Sequence, residues 1–204
     1  MHIERKKKPL VWGELDVALL AAGKDWDGNP LEVPIGFSFA IDEKNLWFIV
    51  SHRQPATIHP DARPGQFLPE LWKYDVAEFF LTNPDNGRYL EFNLAPNGAW
   101  WAAEFTGPRE GMGEAPLQGV ETHSDLAADG TWLVAACIEL KMLRERFAFS
   151  PDSRLNATFI VDSPEQKFVS VADLGDGDPD FHRPDRFPLV QFIHEDELCR
   201  LMKD

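Results

Sequence analysis

Residues 71–105 read LWKYDVAEFFLTNPDNGRYLEFNLAPNGAWWAAEF, and the fold turns on this stretch. The runs 76–81 and 88–94 are rich in aromatic and branched side chains, and Asn83-Pro84-Asp85-Asn86-Gly87 between them is turn chemistry. Pro96-Asn97-Gly98 then precedes a third run over 99–105. Three consecutive antiparallel strands are predicted. Strand side chains alternate between faces. With Leu94 opposite Ala99, one face of the meander collects Leu90, Phe92, Leu94, Ala99, Trp101, Ala103 and Phe105, a core face. Tyr89, Glu91, Asn93, Trp100 and Glu104 take the other. Pairing Phe79 with Leu90 keeps Ala77, Phe79 and Leu81 on the core side and sets Glu78 and Phe80 beside Glu91 and Tyr89.

Working outward, residues 36–41 and 46–52 form a hairpin around Asp42-Glu43-Lys44-Asn45. Pairing Ile41 with Leu46 puts Phe37, Phe39, Ile41, Leu46, Phe48 and Val50 inside and leaves Trp47 on the opposite face. Residues 10–22 hold a short strand. Between Gln54 and Lys73, four prolines forbid a helix or a central strand and predict a long functional loop, with Arg53, His59 and Arg63 as candidate contacts. Residues 106–116 form a Gly-rich connection. Strands are expected at 117–123, 132–138, 155–161, 167–171 and 188–193, with helical spacing at 139–147 and a closing helical turn at 195–203. Some ten short strands and one or two short helices predict an all-β fold, an antiparallel β-sandwich, with a closed barrel as the alternative.

The 204 residues suit a single domain, preceded by a basic tail at 1–9 that contains Arg5-Lys6-Lys7-Lys8. Asp plus Glu outnumber Lys plus Arg by 34 to 20, for a net charge of −14. Such a balance excludes nucleic acid and anionic membranes as partners. No apolar run is long enough for a bilayer span, so no membrane insertion is expected. Glu14 and Asp16 interrupt any leader-like apolar segment, and Cys137 and Cys199 lack a disulfide framework; both features predict a reduced, cytoplasmic protein.

Asp75-Val76-Ala77-Glu78-Phe79-Phe80-Leu81 and the run from Tyr89 to Trp100 resemble the middle of the family 9 carbohydrate-binding modules and the related DOMON-like domains. Ile138-Glu139-Leu140-Lys141-Met142-Leu143, with Leu155-Asn156-Ala157 following, is similar to that family's late strand, short helix and next strand. Asp180-Phe181-His182-Arg183-Pro184-Asp185-Arg186-Phe187 is similar to its terminal phenylalanine and histidine segment. The resemblance implies a β-sandwich that binds sugars or, in some DOMON relatives, haem. Modules of the family are usually exported and attached to a glycoside hydrolase, and this sequence departs from both habits.

A sugar ring needs flat aromatic surfaces flanked by hydrogen-bonding groups. The meander's polar face supplies them. Trp47 and Trp100 are the expected stacking platforms; Glu78, Glu91 and Asn93 the hydroxyl partners; Tyr89, Arg53 and His182 the flanking groups. The expected partner is a mono- or oligosaccharide, held without catalysis. Glu78 beside Glu91 also suits glycoside hydrolysis, which needs paired carboxyls, so a small sugar-active enzyme is the alternative. A protein-interaction domain using the aromatic face is a third. No cofactor is expected. Asp176, Asp178 and Asp180 could offer oxygens to calcium, but the loop fails the EF-hand pattern at Phe181 and Phe187. Haem would need a facing histidine or methionine pair, for which Met112 and His123 are available.

Overall fold

The computed structural model describes residues 1–194, and the closing helical turn expected at 195–203 lies outside them. The chain is a β-sandwich of two largely antiparallel sheets. The first sheet runs in the order β13 (Gln191–His194), β1 (His2–Arg5), β3 (Pro30–Ile41), β4 (Asn45–His52), β10 (Trp132–Glu139) and β9 (Val120–Leu126), with β2 (Leu20–Lys24) also paired to β3. The second runs β12 (Lys167–Ser170), β11 (Leu155–Val161), β5 (Val76–Thr82), β6 (Tyr89–Leu94), β7 (Trp100–Gly107) and β8 (Glu110–Glu114). One α-helix, α1 (Leu140–Phe147), follows β10 and buries Leu140, Leu143 and Phe147.

Between the sheets lies the main core, centred on Phe37, Phe39, Phe48, Phe79, Phe92 and Phe159. The β3–β4 hairpin has the expected register, Ile41 opposite Leu46, because the Asp42 carboxylate organises the connection. It accepts N–H bonds from Lys44 and Asn45, both at 2.9 Å. Residues 1–9 are not wholly a tail: β1 sits between β13 and β3 with Ile3 fully buried, Lys6 pairs with the buried Glu4 at 2.7 Å, and Lys7, Lys8 and Pro9 are exposed. The Gly-rich connection also hides a strand, β8, whose exposed, glycine-bearing sequence carries no period-two signal. Residues 10–19 are not strand. They cross the outer face of the first sheet, where Leu10, Trp12, Leu15 and Val17 cover Trp47, Ile49 and Cys137.

The meander forms, with two changes of register. Asn83 N–H donates to Arg88 O at 2.7 Å, so the first loop is longer than expected and Phe79 faces Phe92. A shift of two residues leaves every side chain on its face. The second change is a shift of one. Ala95 N–H donates to Ala99 O at 2.8 Å, closing a Pro96-Asn97-Gly98 loop in which Gly98 adopts φ +85°. Leu94 therefore opposes Trp100, and the whole of β7 turns over. Trp100 enters the core and stacks on Phe92, with centroids 5.5 Å apart and planes at 11°. Trp101, Ala103 and Phe105 move to the outer face.

Candidate functional site

The outer face of the second sheet is covered by its own apolar cluster, built on Phe80, Tyr89, Phe105, Phe181 and Phe187. Residues 172–187 cross it as an arch. Arg183 Nη1 donates to the carbonyls of Leu174 at 2.7 Å and Asp176 at 3.2 Å, while Trp26 Nε1 donates to Gly177 O at 2.7 Å. Gly175 suits this arch because its φ is +87°, a conformation that residues with a Cβ rarely adopt.

Between arch and sheet opens a pocket of about 420 Å³. Period-two alternation supplies its floor: Glu78 and Phe80 from β5, Glu91 from β6, Trp101 and Phe105 from β7, with Ile160 from β11 and Phe168 from β12. Phe181 and His182 come from the arch, and Arg109 from the β7–β8 turn. Trp72 arrives on a single 3₁₀ turn, Leu71–Lys73, at the end of the proline-rich loop, and the residue is 48% exposed. Gln166, in the β11–β12 turn, holds that turn by donating from Nε2 to Trp72 O at 3.0 Å. Trp101 Nε1 donates to Glu114 Oε1 at 3.2 Å, which sets the indole plane.

Two carboxyls lie at the floor. Glu78 is 2% and Glu91 6% exposed. Thr158 Oγ1 donates to Glu78 Oε2 at 3.0 Å, and Asn93 Nδ2 donates to Glu91 Oε1 at 2.8 Å. Burial, and then the charge of Glu91, raises the Glu78 carboxyl well above the ordinary carboxylate range. Burial pushes Glu91 up to about 7, against the pull of Arg109. Behind them, Tyr89 Oη lies 2.8 Å from His182 Nδ1 and accepts from Arg109 N–H at 3.3 Å. Burial, then Arg109, lowers His182 to about 4, so it is neutral near pH 7 and its 3.7 Å approach to Glu91 Oε2 is not an ion pair there. Arg109 is committed to Asp180 at 2.9 Å.

The structure brings together Glu78, Glu91 and His182 at the pocket, with Tyr89 and Asn93 behind them. It corrects the two expected platforms. Trp47 is 4% exposed on the other sheet, where its Nε1 donates to Asp42 Oδ2 at 3.1 Å and its ring stacks on His123 at 5.9 Å. Trp100 is core because of the one-residue slip. Arg53, His59 and Arg63 do not line the pocket. The aromatic walls are instead Trp72 and Trp101. Counting a three-residue loop after Ala95 would have found Trp101. No periodicity marks Trp72, which lies on an isolated turn. Among the described residues no three His, Cys, Asp or Glu side chains converge as metal ligands. Met112 lies on β8 of the second sheet and His123 on β9 of the first. Among the described residues no helix is long and apolar enough to cross a membrane.

The class of fold is shared with solved carbohydrate-binding modules. A family 9 module of Caldicellulosiruptor kristjanssonii in complex with glucose superposes with a TM-score of 0.63 at 13% identity, covering 96% of both chains. The same organism's family 9 module in complex with cellotriose gives 0.61 at 13% identity, over 96% of this chain and 95% of that one. A Bacteroides uniformis protein provisionally described as carbohydrate-binding gives 0.75 at 16% identity, covering 95% of this chain and 98% of that one. In sequence, the chain is 26% identical over 170 residues to the UPF0462 protein C4orf33 homolog of Danio rerio, covering 79% of this chain and 83% of that protein. It is 31% identical over 88 residues to the human UPF0462 protein C4orf33, covering 41% of this chain and 43% of that protein. No protein-family model matches the chain.

Proposed function

We propose that this protein binds a mono- or oligosaccharide non-covalently in the pocket on the second sheet. The observation that carries the reading is a concave site of about 420 Å³ with two indole walls, Trp72 and Trp101, over carboxyl, imidazole and amide groups. Indole faces match the apolar C–H faces of a pyranose, and the polar groups match its hydroxyls. The structural relatives that hold glucose and cellotriose on this fold support it. A glycan array followed by titration calorimetry tests the reading, with Trp101→Ala as the comparison. Stacking on one aromatic ring is worth about 1 kcal/mol or more, so affinity falls at least about fivefold in the variant. Silence across mono- and oligosaccharides with a folded protein would refute it.

The carboxyl pair favours a second reading, a sugar-active enzyme. A carboxyl raised toward neutrality beside another is the usual acid of glycoside hydrolysis. Loss of a candidate glycoside over time, abolished by Glu91→Gln, would replace the binding reading with this one; a ligand recovered unchanged would dismiss it.

A further inference from the structure

The floor of the pocket is rich in acceptors and poor in donors. Each of its two carboxyls has one oxygen anchored from behind, Glu78 Oε2 by Thr158 and Glu91 Oε1 by Asn93. Among the described residues the other oxygens, Glu78 Oε1 and Glu91 Oε2, accept no hydrogen bond, though His182 Nε2 lies 3.7 Å from Glu91 Oε2, and both side chains are more than nine-tenths buried while lining the cavity. Among the described residues Asn93 Oδ1, beside Glu91, is buried without a partner. The two carboxyl oxygens without a bond are the polar atoms that the floor of the cavity offers to a ligand.

Their surroundings supply little positive charge. Facing the pair are Tyr89 from β6, the neutral His182 from the arch and Arg109 from the β7–β8 turn; Arg109 is 64% exposed and is spent on Asp180. Glu114 bonds the Trp101 indole, and Asp173, Asp176, Asp178 and Asp180 belong to the arch that carries Phe181 and His182. The chain as a whole carries −14. Neutral hydroxyl groups can bond the carboxyls while these stay protonated; an ammonium supplies three donors and the positive charge that allows the pair to ionise. Indole walls favour the same cation through their π faces.

We propose that the pocket is selective for an amino sugar bearing a free ammonium group, received by Glu91 Oε2 and Glu78 Oε1 with the ring against Trp72 and Trp101. This rests on the carbohydrate reading above and names its ligand class. Binding of the ammonium draws a proton from the carboxyl pair, so affinity falls as pH drops below about 7 and Glu91 retains its proton. Affinity falls again at higher pH, where the ligand amine loses its charge.

Titration calorimetry of the intact chain with glucosamine, glucose and N-acetylglucosamine, and with the corresponding β-linked dimers, tests the proposal. The amine is expected to bind about tenfold tighter than either neutral sugar, the margin between a charged and a neutral hydrogen bond. That margin collapses in Glu91→Gln, whose amide still accepts from Asn93. If the variant does not fold, the wild type at pH 5.5 is expected to show the same collapse. Neutral sugars binding as tightly as the amine, with dependence on Trp101, would overturn the proposal and leave the carbohydrate reading intact. No binding of any of the sugars to folded protein would overturn both.

Discussion

Glu91→Gln is expected to stabilise the protein at alkaline pH and to do so in a pH-dependent way. Glu91 titrates at about 7 in the folded protein and near 4.5 when unfolded, because burial disfavours its charged form. A carboxyl raised on folding contributes stability that is fully present below the unfolded value and is lost as pH rises through the folded one. The full span corresponds to about 3 kcal/mol, and the part lost between pH 5 and pH 8 to about 2.5 kcal/mol. Glutamine keeps the shape and the Asn93 bond at Oε1 but has no proton to lose. Urea unfolding of both proteins at pH 5, 6, 7 and 8 measures the effect. The difference in unfolding free energy, variant minus wild type, should rise by about 2.5 kcal/mol across that range, equivalent to roughly 5–10 °C in Tm. A difference that stays constant from pH 5 to pH 8 would show that Glu91 titrates normally in the folded state, and the account of the pocket floor as uncompensated would fail with it.

Three further outcomes follow from individual contacts. Trp100→Ala removes a ring stacked on Phe92 in the core and should lose about 3–5 kcal/mol of stability, whereas Trp101→Ala at the pocket should change sugar binding and lose much less; equal losses in thermal unfolding would contradict the register. Asp42→Ala frees three backbone N–H groups, of Leu10, Lys44 and Asn45, and Trp47 Nε1, and should cost about 2–4 kcal/mol in chemical denaturation. The Cys137 thiol, 6% exposed and pushed up to about 12 by burial, should resist iodoacetamide in the native state and react on unfolding, as read by peptide mass spectrometry.

These contacts divide by how far along the chain their causes lie. Phe37, Phe39, Phe48 and Val50 were placed correctly because a short, Asp-organised turn fixes the β3–β4 register locally. Glu78 and Glu91 were found on one face because a two-residue error in the first meander loop preserves alternation. The second loop was misjudged by one residue, and that error alone exchanged Trp100 for Trp101. Trp47 shows a different failure. It is on the non-core side, as alternation requires, yet residues 10–19 fold over it and make a second core there.

The sandwich, most of its strands and the carboxyl-bearing face were legible in the sequence, since hydrophobic period and turn chemistry act over a few residues, whereas β1 and β8 carry no such signal. Only tertiary structure decided which side of that face is open. The arch of residues 172–187, the Trp72 turn and the Arg109 loop reach the pocket from well separated parts of the chain. Their meeting follows from closing two sheets on one core, which no local periodicity encodes.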